Sequence, residues 1–273
     1  MSLVDTSWVE DNLSKIKLID CSWHLPDTLR KPHEEYLNHH LPNAIFFDLD
    51  KNSDQRSDLP HMLPSKEKWN EIISKLGIKN NDRIIIYDNS DLVSSCRLWY
   101  SFIYFGHDPK LVSVLDGGFE KWKSEKRTVT KEVTKLFPTL YKSTERKDLV
   151  KLKIQIEENV LKQEFKVLDA RSKERFEVKE KEPRKGLRSG SIPNSLCLPF
   201  KELLKKDKTF KSKNELVKIF KSVLKHDFSS KVVFSCGSGV TASVLALAYS
   251  LIDNKYNPVI YDCLLYTSPS PRD

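Results

Sequence analysis

The chain is written twice, and that repeat restricts its possible folds more than any other feature. Leu18-Ile19-Asp20 opens one half as Val167-Leu168-Asp169-Ala170 opens the other. Leu41-Pro42-Asn43-Ala44 answers to Ile192-Pro193-Asn194-Ser195, and Arg83-Ile84-Ile85-Ile86-Tyr87 to Lys231-Val232-Val233-Phe234-Ser235. Asp20 to Asp88 is 68 positions and Asp169 to Cys236 is 67, so the spacing of the copies agrees to within one residue. Short apolar runs alternate with helical patterns such as Glu67–Leu76 and Glu215–Leu224, the signature of βα units around a parallel sheet. Gly77 and Gly106 fall where helix C-caps belong. The expectation is an α/β protein of two tandem domains, each a parallel sheet flanked by helices. Residues 1–126 form the first and 148–262 the second; the polar, aperiodic stretch 127–147, which contains Pro138, reads as a linker.

Composition removes several function classes. With 39% hydrophobic and 31% charged residues the chain belongs with globular proteins. No apolar run approaches the roughly 20 residues that span a bilayer, so no membrane partner is expected. The opening residues Met1-Ser2-Leu3-Val4-Asp5 lack a charged-then-apolar leader pattern, which points to the cytoplasm. A net charge of +8 raises nucleic acid as a partner. The lysines, however, are spread along stretches read as amphipathic helices, Lys201–Lys208 and Lys211–Lys225, with no interleaved aromatics. A solvated basic surface with some attraction for anionic substrates is expected, and no nucleic-acid partner. The five cysteines, Cys21, Cys96, Cys197, Cys236 and Cys263, show neither a Cys-x-x-Cys pair nor zinc-ligand spacing. Cys21, Cys96 and Cys197 read as packing residues.

Cys236 is different. Cys236-Gly237-Ser238-Gly239-Val240-Thr241-Ala242 follows an apolar strand and leads into an apolar helix, Ala242–Ile252. A sulfur at such a turn faces backbone N–H groups and a helix N-terminus, and both stabilise a thiolate. A buried structural cysteine is the plainer alternative, but paired glycines with Ser and Thr argue for a working loop. A Cys-x5-Arg phosphatase is excluded because Ala242 stands where the arginine would be. A phosphate-cradling P-loop fails because no Gly-Lys-Ser/Thr follows. In the first half Asp88 occupies the nucleophile's position, so that copy is expected to be catalytically silent.

This loop resembles the active-site loop of the rhodanese superfamily of sulfurtransferases, specifically its 3-mercaptopyruvate sulfurtransferase branch. Relatives specialised for thiosulfate usually carry basic residues after the cysteine; Gly237 and Ser238 carry no charge. The resemblance implies a two-domain enzyme that moves sulfane sulfur through a Cys236 persulfide, releases pyruvate, and needs no metal or organic cofactor. Loop residues Gly237, Gly239, Val240 and Thr241 would line the donor site. A thiol such as thioredoxin, or cyanide, would accept the sulfur. Thiosulfate transfer and a non-catalytic tandem binding module are the other readings.

Asp169-Ala170-Arg171-Ser172-Lys173-Glu174-Arg175-Phe176 and Glu182-Pro183-Arg184 are rich in arginine, whose planar fork grips carboxylates. The residues alone leave open whether these arginines bind a ligand or face solvent; the resemblance implies that Arg175 and Arg184 hold the donor's carboxylate and keto oxygen. It also implies that Asp50 and His61, eleven residues apart, act with Ser238 as a proton relay. The end of the chain, 263–273, departs from the repeat and from the resembled family. Two prolines and no helical pattern lead us to expect no packed closing helix there, and a non-native tail.

Overall fold

Ile84–Tyr87 and Val232–Ser235 are buried at every position. A strand without an alternating polar face needs cover on both sides, which a parallel sheet between helices supplies. The computed structural model describes residues 2–180, 189–225, 231–253 and 256–262. The chain divides into two units, Met1–Arg146 with Lys206–Thr209, and Lys147–Lys205 with Phe210–Asp273.

Unit 1 contains strands β1 (Leu3–Val4), β2 (Lys17–Asp20), β3 (Ala44–Phe46), β4 (Ile84–Tyr87) and β5 (Val112–Leu115). Its helices are α1 (Thr6–Asn12), α2 (Pro32–Asn38), α3 (Lys66–Lys75), α4 (Ser95–Tyr104) and α5 (Gly118–Ser124). Unit 2 repeats the plan with β6 (Val150–Lys151), β7 (Lys166–Asp169), β8 (Leu196–Cys197), β9 (Val232–Ser235) and β10 (Ile260–Tyr261). Helices α6 (Lys153–Lys162), α7 (Lys173–Phe176), α8 (Lys213–Leu224) and α9 (Val240–Ile252) accompany them. The strand orders correspond: β1-β5-β4-β2-β3 and β6-β10-β9-β7-β8, every pairing parallel.

In both sheets the chain steps outward once and then returns to the other side of its second strand. The direction therefore reverses between β2 and β4, and between β7 and β9. Loops diverge at such a reversal and leave a crevice at the strands' C-terminal ends. Asp88 and Cys236 each follow a central strand at that point.

Local chemistry sets the helix ends. Ser65 caps α3 by accepting from the Lys68 amide, and Ser212 and Glu215 form a reciprocal capping box on α8. Helix α9 is buried at Val240 and from Ala242 to Tyr249, as the apolar run predicts. Phe220, Phe234, Tyr249 and Tyr256 pack edge-on or tilted beside it, with centroids 4.6–6.4 Å apart. In unit 1, Trp69, Phe102 and Phe105 play a similar part.

The helix expected over Lys201–Lys208 does not form. A 3-10 turn covers Phe200–Leu203, and Leu204 bridges antiparallel to Phe210. Lys205-Lys206-Asp207-Lys208 offers no apolar stripe, and Lys208 adopts a positive φ of 62°. Its ammonium is instead held by Asp91 Oδ1 at 2.8 Å and Glu120 Oε2 at 3.1 Å.

Residues 127–146, read from sequence as linking chain, are laid along unit 1. Thr130 and His40 exchange backbone hydrogen bonds of 2.9 Å, and Tyr141 is buried with its hydroxyl 3.1 Å from His107 Nδ1. Gly77 and Gly106 have φ of 72° and 81°, and a Cβ there would meet Phe137 O at 2.7 Å and Thr144 O at 2.6 Å. These glycines end helices and also seat this stretch. The expected non-native tail, 263–273, lies outside the described residues.

Candidate active site

Cys236 leaves the sheet at the end of β9 and is 3% exposed. The Ser238 amide points at its sulfur, N to Sγ 3.5 Å. Gly239, at φ 74°, caps α9, so the helix begins at Val240 with its N-terminus in the same loop. Gly at that position takes the left-handed conformation without the strain a side chain brings. Ser243 Oγ donates to Gly239 O at 2.7 Å and tightens the turn. An amide aimed at sulfur and the positive end of a buried helix both stabilise negative charge there. Gly237, Ser238 and Thr241 are half-buried, whereas Gly239 and Val240 are buried.

The remaining described thiols sit in unlike surroundings. Burial pushes Cys21 and Cys96 well above the ordinary thiol range, with Asp88 adding repulsion in both cases. Cys197 is pushed up to about 12 by burial and by Asp169. None of the three has thiolate character near neutral pH.

Strand β7 lies beside β9, with Asp169 opposite Ser235. Ala170 N donates to Ser235 O at 2.8 Å, one residue from Cys236. The chain then turns through Arg171 into α7, capped by Ser172, whose Oγ accepts from the Arg175 amide at 3.3 Å. Arg175 is half-buried on this short helix, at the same end of the sheet as Cys236. Arg184 lies outside the described residues. The sequence reading passed over Arg171, which the structure buries against Asp169. Its Nη2 meets Asp169 Oδ2 at 2.7 Å and Gly190 O at 2.6 Å. The Asp-x-Arg spacing of the motif was the available sign.

Unit 1 joins two of the predicted residues. His61 Nε2 is 2.8 Å from Asp50 Oδ1, and Trp23 Nε1 donates to Asp50 Oδ2 at 3.0 Å. Trp23 also packs edge-on against the His61 ring, centroids 4.6 Å apart. His61 takes a positive φ of 60°, and its carbonyl accepts from buried Arg97 Nη2 at 2.6 Å. A non-glycine residue held in this region is costly and recurs at functional sites. Ser238 belongs to the loop in unit 2. Trp23 went unnoticed in the sequence because it lies 27 positions from Asp50.

Where unit 2 has Cys236, unit 1 has a carboxylate. Asp88 Oδ1 accepts from the Ser90 amide at 2.8 Å, the same two-residue step as Ser238 to Cys236. Its Oδ2 accepts from the Ser95 amide at 3.0 Å, at the start of α4. Burial raises the Asp88 carboxyl above its ordinary range, and these hydrogen bonds oppose the rise. The corresponding loop of unit 1 thus directs two amides at a carboxylate of the chain itself.

Comparison with known proteins agrees with this arrangement. The rhodanese-like domain family matches the chain twice, at residues 5–125 and 151–263. The chain is 38% identical to thiosulfate/3-mercaptopyruvate sulfurtransferase 2 of Arabidopsis thaliana, covering 95% of this chain and 82% of that one. It is 36% identical to the 3-mercaptopyruvate sulfurtransferase of Mus musculus, covering 96% and 89%. The crystal structure of SseA from Escherichia coli, described as a 3-mercaptopyruvate sulfotransferase of rhodanese fold, superposes with a TM-score of 0.85 at 30% identity over 99% of both chains. With a shared strand order in both halves, a glycine-bounded cysteine loop in the second and its carboxylate-filled copy in the first, the chain belongs to the rhodanese family as a tandem two-domain member.

Proposed function

We propose that this chain transfers sulfur from 3-mercaptopyruvate to a thiol acceptor through a persulfide on Cys236. The observation carrying the reading is the uncharged loop around Cys236, with a backbone amide aimed at its sulfur. The thiolate attacks the donor sulfur and a sulfur–sulfur bond forms. The donor's carbon–sulfur bond breaks, and its electron pair leaves on carbon as pyruvate enolate. We assign protonation of the enolate to Ser238 with the His61–Asp50 pair, since a general acid is required at that step. Arg175 and Arg184 are the proposed carboxylate and keto-oxygen ligands, with the amides around Gly237, Gly239, Val240 and Thr241 holding the persulfide. An acceptor thiolate such as thioredoxin's then takes the outer sulfur, and Cys236 departs as thiolate. The four cysteines among the described residues are free thiols, which suits a reducing compartment, and the cytoplasm is our proposed location. Among the described residues no helix is long and apolar enough to cross a membrane.

Mass spectrometry after donor alone tests this: wild type should gain about 32 Da on Cys236, and Cys236→Ser should lose both the adduct and turnover. Sulfur carried instead by Cys21, Cys96 or Cys197 would sink the assignment. Thiosulfate is the competing donor, named with mercaptopyruvate for the Arabidopsis relative. A neutral loop disfavours a dianion, so kcat/KM should be higher for mercaptopyruvate. Equal values for the two donors would refute that argument.

A further inference from the structure

Asp169 and Arg171 form an ion pair whose side chains are each 1% exposed. Arg171 Nε lies 3.1 Å from both carboxylate oxygens, and Nη2 adds a third contact at 2.7 Å. The same Nη2 donates to Gly190 O at 2.6 Å. One guanidinium thus touches the strand that precedes the Arg175 segment and the backbone that follows it. Ser172, the cap of the short helix α7, is the next residue, and Gly190 lies 19 positions beyond Arg171.

The first repeat is an internal control for what the fold requires. Asp20 occupies the position of Asp169 at the end of β2, and the turn after it is the same. Ser22 N donates to Asp20 Oδ1 at 2.9 Å, as Arg171 N donates to Asp169 Oδ1 at 3.0 Å. Unit 1 nevertheless has Ser22 instead of an arginine, and the hydroxyl donates to Asp20 at 2.5 Å. Without a cation beside it, Asp20 is raised by burial to about 7. The same strand, turn and buried aspartate fold with no arginine. The arginine accompanies the copy that carries the nucleophile.

We propose that Arg171 is a positioning residue for the donor site. It ties the end of β7, beside Cys236, to the backbone at Gly190 and so holds the turn that leads into the Arg175 helix, and it cancels the Asp169 charge that would repel an anionic donor. The proposal rests on Arg175 binding the donor, as set out above. Lysine keeps the charge but cannot span Asp169 and Gly190 O with one planar fork.

The test uses the full chain with Arg171→Lys, Arg171→Ser, which copies unit 1, and the double variant Asp169→Asn/Arg171→Ser. Three readouts separate the roles: steady-state kinetics with mercaptopyruvate, Cys236 alkylation by iodoacetamide, and thermal melts. Iodoacetamide is neutral and makes no use of a carboxylate site. Folded variants should show KM raised about tenfold or more, the loss of charged hydrogen bonds at a binding residue, with kcat within about threefold. Alkylation should stay within about twofold of wild type, since the Cys236 loop itself is untouched. The double variant should recover part of the KM loss, because the repulsive charge is gone. Unchanged KM in folded variants would overturn the proposal. So would alkylation falling in step with kcat/KM, or unfolding of the double variant as well as of Arg171→Ser. A wild type without the 32 Da adduct overturns the sulfurtransferase reading and takes this proposal with it; turnover by wild type with unaltered variants overturns only the role of Arg171.

Discussion

At the scale of single residues, the proposed site divides into groups assigned to binding and groups assigned to proton transfer, and kinetics distinguishes them. Arg175→Lys keeps charge but loses the bidentate fork, so KM for mercaptopyruvate should rise about tenfold or more while the melting temperature hardly changes. His61→Gln should act chiefly on kcat, because a proton donor matters most in the transition state. Steady-state kinetics on the two variants checks both, and a KM effect in His61→Gln without loss of kcat would contradict the relay. Asp20 gives a prediction of a different kind. Burial raises it from the ordinary 3.8 to about 7, so between those values the folded state holds a proton that the unfolded state has released. Its contribution to stability is therefore present at low pH and is lost as pH climbs towards 7. Melts recorded from pH 5 to pH 8 should fall, and Asp20→Asn should flatten that slope, at about 2–4 °C per kcal/mol for a domain of this size. A slope unaltered by the substitution would show that Asp20 does not titrate in this window.

Elements were more legible than the contacts that join them. The strands Ile84–Tyr87 and Val232–Ser235 were readable because unbroken β-prone runs have one stable use in an α/β chain. The strand-to-helix turn at Cys236 was readable because its loop is contiguous. The Trp23–Asp50 and Arg171–Gly190 hydrogen bonds were not, since each links residues 19 or more positions apart and depends on how loops cross at the sheet's end. The lysine-rich stretch after Phe200 was misread for a related reason. Its pattern suggested a helix, yet Lys208 is held by Asp91 and Glu120 from the other half of the sequence. Helix ends also carry the stretch 127–146. Replacing Gly106 by Ala combines a left-handed backbone with a Cβ 2.6 Å from Thr144 O. A loss of about 1–3 kcal/mol is expected in chemical denaturation, the range for strained positions of this type. Gly190→Ala, at a φ of 139° but with nothing within 4 Å, offers a comparison where strain acts without a clash.

For the molecule as a whole, the repeat means one architecture appears with a cysteine after its central strand and again with an aspartate there. Unit 1 keeps the strand order, the turn after its central strand and the amides around residue 88, but has no counterpart to Arg171. Asp88→Cys in a Cys236→Ser background should therefore yield no turnover and no 32 Da adduct at position 88. Peptide mapping after donor treatment would reveal either. The cradle around Asp88 also has a bearing on which side chains that position tolerates. Two backbone N–H groups converge there on a buried point, and whichever side chain stands at that position must answer them. An alkyl side chain would strand both donors out of reach of water, at a penalty of about 1–3 kcal/mol each. The position is thus restricted without reference to any reaction: a side chain with no acceptor is disfavoured there on solvation grounds alone, and the aspartate satisfies both donors at once.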